Sequence, residues 1–174
     1  MPYPSLVADA PPFRATVAAA PWLVPSAAPT SVPAPWRAVG TVPTDHDFMA
    51  LHIAYRRLGG LARVHELSRV WAADGEVHRG RLEAMIDGGR AFAFHWHDGA
   101  WLPRFQLDRT AHDTQPAVVR VLEEFGAAWD GWELASWFVE PNAWLDDRAP
   151  ADCLTEDLPR VLEAVRADRF VRLG

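Results

Sequence analysis

Three histidines, one cysteine and a few paired acids are the residues of this chain whose types could carry chemistry. His95 and His97 form an H-x-H pair in an alternating segment. On a strand that spacing puts both rings on one face, where they could bind zinc, and His112 is the remaining metal candidate. A third and a fourth ligand have no clear source, since Asp98 and Asp113 are merely nearby. The competing reading makes the pair the solvated face of a hairpin, opposite Phe92, Phe94 and Trp96. His65-Glu66 does not extend to H-E-x-x-H, because Arg69 stands at the second histidine position. Cys153 has no sequence feature that identifies a partner base. Ser68 and Ser136 sit in apolar-periodic helices, not in a G-x-S-x-G elbow. Glu123-Glu124 and Asp146-Asp147 read as solvated acidic pairs. The chain lacks lysine, so it holds no G-x-x-x-x-G-K phosphate loop. The expectation is a non-enzyme with no catalytic residue, metal or cofactor.

The elements that carry these residues follow from periodicity and punctuation. Residues 1–43 hold ten of the fifteen prolines, which disfavours a long helix or a central strand there. An extended arm is expected, and Phe13, Trp22, Leu23 and Trp36 could dock on a folded surface. Residues 44–89 read as a helix-turn-helix-like module of three short helices. The first carries Phe48, Leu51, Tyr55 and Leu58 and stops at Gly59-Gly60. The second carries Leu61, Val64, Leu67, Val70 and Trp71. The third carries Val77, Leu82, Met85 and Ile86.

Over residues 90–108 the period changes to two. Phe92, Phe94 and Trp96 lead to an expected hairpin turn at Asp98-Gly99, and Trp101, Pro103, Phe105 and Leu107 return. Pro103 cannot donate to a ladder, which places its strand at an edge or beside a bulge. Residues 109–174 return to helix. Pro116 opens one helix, Gly131 to Glu140 forms another, and Pro141 stops it. A structured loop over 142–155 has one turn near Pro150. Thr155 is the expected cap of a last helix with Leu158, Val161, Leu162 and Val165 on one face. The fold class expected is mostly α: a small helical bundle, one two-stranded antiparallel hairpin and a C-terminal helical domain.

Charge separates the halves. The net charge is −6, which argues against a generally nucleic-acid-binding surface. Residues 48–90 carry seven arginines against five acids, whereas residues 91–174 carry eight against fifteen. Arg79 and Arg81, early in the third expected helix, are the candidate DNA contacts. One cysteine excludes an intrachain disulfide. The apolar runs are too short to span a bilayer, and no signal peptide is legible, so a cytoplasmic protein without a membrane partner is expected.

Four tryptophans, at 129, 132, 137 and 144, crowd the last third. The run from Trp137 to Leu154 resembles the toxin-binding domain of the Xre/MbcA/ParS antitoxin family. The resemblance rests on Trp137, Pro141, Asn142, Leu145, Pro150 and Leu154, and its element order extends over about 48–173. Asp146-Asp147-Arg148 departs from the pattern, since the family commonly has a glycine before the second proline. The Pro-rich arm has no counterpart in the family.

The resemblance implies an antitoxin of a type II toxin-antitoxin pair, which neutralises a RES-domain, NAD-consuming toxin by stoichiometric binding. It also implies autorepression through operator DNA. The expected partners are that toxin, operator DNA and a second copy of the chain. The hallmark residues make the scaffold, while Trp132, Trp144, Arg169, Phe170 and Arg172 are the expected toxin contacts. The alternatives are a DNA-binding regulator or a protein-binding module without a toxin, and a metal-assisted enzyme using His95, His97 and His112.

Overall fold

A computed structural model describes residues 42–108 and 110–173. The Pro-rich arm, with Phe13, Trp22, Leu23 and Trp36, lies outside the described residues but for its last two positions. The described part is mostly helical with small antiparallel sheets.

Helix α1 spans Asp45–Tyr55 and starts with a capping box. The Thr44 hydroxyl accepts from the Asp47 amide, and the Asp47 carboxylate accepts from the Thr44 amide at 2.8 Å. A 3-10 turn over Arg56–Leu58 follows. Gly59 ends it at φ 93°, a conformation that favours glycine.

Strand β1, Leu61–Arg63, takes the place of the first turn expected for the second helix. Helix α2 then runs Val64–Asp74, and α3 is only Arg81–Asp87. Val77 falls in a separate 3-10 turn and is exposed, because Gly80 at φ 70° breaks the chain before α3.

Strands β2, Phe94–Trp96, and β3, Gly99–Pro103, pair antiparallel, with Phe94 opposite Trp101 and Trp96 opposite Gly99. The connection is therefore His97-Asp98 rather than Asp98-Gly99, and His97 takes φ 48°. β3 also pairs with β1, so the strand order is β1-β3-β2 and the expected hairpin is part of a three-stranded sheet. Pro103 consequently lies in the central strand, not at an edge. It is tolerated as the last residue, where the chain leaves the ladder for a 3-10 turn over Arg104–Gln106. A second small pair joins β4, Leu107–Asp108, to β5, Asp113–Thr114.

Helices α4, Pro116–Phe125, and α5, Gly131–Val139, follow. Short α6, Pro150–Cys153, and long α7, Leu158–Leu173, close the chain. The cap of α7 is Asp157 rather than Thr155. Its Oδ1 accepts from the Arg160 amide at 3.2 Å, and its carbonyl accepts from Val161.

The sheet separates two apolar clusters. Its Leu61, Phe94 and Trp101 side join Leu51 and Tyr55 of α1, Phe125 of α4, Trp137 and Phe138 of α5, and Val161 and Val165 of α7. Its Ala62 and Leu102 side join Trp71, Leu82 and Met85 of α2 and α3. Helix α1 thus packs with the C-terminal helices, and the clusters do not follow the expected division at residue 89. The Tyr55 hydroxyl fixes this by donating to the Ala135 carbonyl at 2.6 Å, and burial raises its pKa well above the ordinary tyrosine value. Buried Gln106 clamps the other side. Its Nε2 donates to Phe92 O and Pro103 O, and its Oε1 accepts from the Phe92 amide.

Candidate functional site

The Trp137–Leu154 run builds a surface loop from the inside outward. Trp137, Asn142, Leu145, Pro150 and Leu154 are buried, and Pro141 is exposed at the point where α5 stops. Asn142 organises the turn. Its Oδ1 accepts from the Trp144 amide at 2.9 Å, and its carbonyl accepts from Leu145 and Asp147. Its own amide donates to Arg148 O at 3.1 Å, closing the loop.

The chain can turn here because Asp146 and Asp147 both adopt left-handed backbone, at φ 56° and 59°. Aspartate tolerates that region better than most residues, so two aspartates serve where glycine would be the simplest choice. Arg160 of α7 straps the loop. Its Nε donates to Trp144 O at 2.9 Å, and its Nη1 donates to Asp146 Oδ2 at 2.8 Å, which holds the Asp146 carboxyl below the usual range.

Asp168, on α7, ties this loop to the core. Its Oδ2 accepts from Trp137 Nε1 at 2.7 Å and from Asn142 Nδ2 at 2.9 Å. No local pattern marks this residue, since its two donors lie 31 and 26 positions upstream.

The five expected contact residues separate into two groups. Trp144 is 57% exposed and Phe170 78% exposed, with Val171 beside it at 76%. Trp132 turns inward, edge-to-face on Phe94 at 5.0 Å and tilted against Trp96 at 5.5 Å. Arg169 donates to the Glu124 carbonyl and pairs with its carboxylate at 3.5 Å. Arg172 pairs with Glu133 at 2.6 Å and lies over the Trp129 ring at 4.9 Å. These arginines, with Arg166 on Glu124, fasten α7 to α4 and α5. Among the described residues, Glu123, Asp147 and Glu163 remain exposed acids without a cationic partner.

The basic module is less open than its sequence suggests. Arg79 precedes α3 and pairs with Glu76 at 2.7 Å. Arg81 opens α3 and, like Arg90, pairs with Asp113 at 3.0 Å. A helix of seven residues with Leu82 and Met85 buried presents little length to a groove.

The histidines do not converge. His95 lies on β2, but His97 is in the turn and pairs with Asp45 at 3.1 Å, so the two do not share a strand face. His112 pairs with Asp74 at 3.0 Å and stacks on His78 at 4.2 Å. Among the described residues, no group of three or more His, Cys, Asp or Glu is placed to hold a metal ion. Cys153 is buried, and burial raises its thiol pKa. No helix among the described residues is long and apolar enough to cross a membrane. No protein-family model, curated protein or solved structure matches this chain.

Proposed function

We propose that this chain is an antitoxin that binds its toxin through the face carried by α7 and the loop over residues 142–149. The observation that carries the reading is the division of labour in that loop. Its hallmark residues are buried or hydrogen-bonded, and they hold one large aromatic, Trp144, out in solvent. An exposed tryptophan on a rigid support is the kind of anchor that dominates protein interfaces. Phe170 and Val171 add a second apolar point near the end of α7. The unpaired acids Glu123, Asp147 and Glu163 suit a partner with a basic cleft, such as one that takes an anionic nucleotide, and would speed encounter. The resemblance to Xre/MbcA/ParS antitoxins makes a RES-domain toxin the specific partner proposed, with operator binding a separate activity of the 44–89 module.

The test is co-expression with a RES-domain toxin encoded beside this chain. Wild-type protein is expected to restore growth and to co-purify with the toxin. Replacing Trp144 and Phe170 together by alanine is expected to lose both while the fold persists. Full neutralisation by that folded double variant would overturn the assigned face. A truncation at Asp168 is a poor probe, because it removes or disturbs the acceptor of Trp137 and Asn142.

A further inference from the structure

Helices α1 and α5 leave an apolar groove between them. Asp47, Ala50 and Ala54 line it from one face of α1, at helical spacing, and Trp132, Val139 and Glu140 line it from α5. Ala50 and Ala54 end at Cβ, so a cavity of about 130 Å³ stays open against Trp132. That is close to the ~150 Å³ that takes a benzene ring in an apolar core. The groove is open on one side, which leaves room for a larger aromatic to lie along it. The charged residues at its border, Asp47 and Glu140, are both acids.

The N-terminal arm joins the fold beside this groove. The described chain begins at the exposed Val42 and enters α1 through Thr44, whose hydroxyl accepts from the Asp47 amide. Eight positions before Thr44 stands Trp36, followed by Arg37, the one charged residue between Ala15 and Pro43. Eight extended residues reach about 26 Å. Asp47 to Ala54 covers only about 10 Å of helix, so the tether is long enough to turn back along the groove. Prolines at 33 and 35 restrict the unbound chain. That lowers the entropy lost on docking, as in proline-rich peptides that bind aromatic-lined grooves.

We infer that the groove between α1 and α5 is the docking site of this chain's own arm, with the Trp36 ring in the cavity and the Arg37 guanidinium at the acidic border. The ring and the charge are adjacent in sequence, and the groove offers an apolar cavity and two carboxylates side by side. The contact need not be strong. A short tether holds the segment at an effective concentration on the order of millimolar, so a weak intrinsic affinity keeps the groove mostly filled. The inference is independent of the toxin reading, because the groove contains neither Trp144 nor Phe170.

Limited trypsin digestion of the full chain tests it, because the arm carries its own control. Pro12-Phe13-Arg14-Ala15 and Pro35-Trp36-Arg37-Ala38 present the same pattern of proline, aromatic, arginine and alanine to the protease. Where a docked segment opens and closes quickly, cleavage tracks the population of the open form. The Arg37-Ala38 bond is expected to be cut about tenfold more slowly than the Arg14-Ala15 bond, at a ratio that does not change with protein concentration. Ala54→Leu and, separately, Ala50→Leu grow into the cavity from half-buried positions. Each is expected to bring the two rates together while circular dichroism stays unchanged. Equal rates in the wild-type chain overturn the inference, and so does protection of Arg37 that persists in either folded groove variant. Protection that grows with protein concentration would assign the groove to the arm of a second copy. Protection that appears only with a bound toxin would assign it to that complex. Either result overturns docking by the chain's own arm.

Discussion

The Trp137 indole donates its Nε1–H to Asp168 Oδ2 at 2.7 Å, joining α5 to the last turns of α7. Asn142 Nδ2 shares that oxygen, so one carboxylate satisfies two donors from the loop that carries Trp144. Asp168→Ala leaves both donors without this acceptor and is expected to cost about 1–3 kcal/mol of unfolding free energy. Asp168→Asn keeps an acceptor oxygen and is expected to lose less. Urea unfolding of the three proteins measures the order, and an alanine variant as stable as wild type would remove Asp168 from this role.

Gly131 lies under the sheet. A Cβ added there would stand 1.8 Å from the Ala93 carbonyl oxygen and 2.7 Å from its carbon. Both atoms are backbone and cannot swing aside. Gly131→Ala is therefore expected to lose about 3 kcal/mol or more, at the upper end of overpacking, despite alanine's better helix propensity. A thermal midpoint equal to wild type would show that α5 can shift away from β2.

Asp113 gathers Arg81 and Arg90, each at 3.0 Å, and the Thr114 amide at 2.7 Å. Burial alone would raise its pKa, but these donors outweigh burial and lower it. A lowered folded pKa means that its contribution is present above the unfolded value, near 3.9, and is lost as pH falls through the folded value. The stability difference between wild type and Asp113→Asn is expected to be flat from about pH 5 to 8, on the order of 1 kcal/mol, and to shrink below about pH 4. Chemical denaturation across that range reads it, and a difference that grows in acid would reverse the sign.

Cys153 is the only cysteine and is buried in α6, where burial holds the thiol neutral at physiological pH. The thiolate is the reactive form, so an aromatic disulfide reagent is expected to react slowly with native protein and at once in denaturant. Equal rates would mean that α6 opens readily.

Trp144→Ala and Phe170→Ala remove exposed side chains and are expected to change stability by less than about 0.5 kcal/mol each. Their effect on the proposed toxin binding can then be read without a folding correction.

The helices were legible where apolar spacing and a stop signal agreed. Phe48, Leu51 and Tyr55 before Gly59, and Leu134, Trp137 and Phe138 before Pro141, are examples. β1 was hidden because Leu61 and Val64 fit the helical spacing of α2 equally well. Its strand state comes from the backbone of β3, to which Ala62 pairs opposite Leu102. The turn at His97-Asp98 was misplaced by one residue for a similar reason. The register is fixed by Phe94 packing on Trp132 and Phe48, not by glycine preference at Gly99.

The sequence by itself determined the helix-rich class and the acidic C-terminal half, which are properties of composition and of local period. The scaffold role of Trp137, Asn142, Leu145, Pro150 and Leu154 was expected from the family resemblance, and the structure buries all five. Only the tertiary structure decided that Trp132, Arg169 and Arg172 serve the chain's own interior and ion pairs, while Trp144 and Phe170 stand in solvent. It likewise decided that Asp168 completes the frame and that α1 belongs with the C-terminal helices. Exposure and pairing depend on which distant side chain arrives at a given surface, and separations of 31 or 80 residues leave no local trace in a sequence.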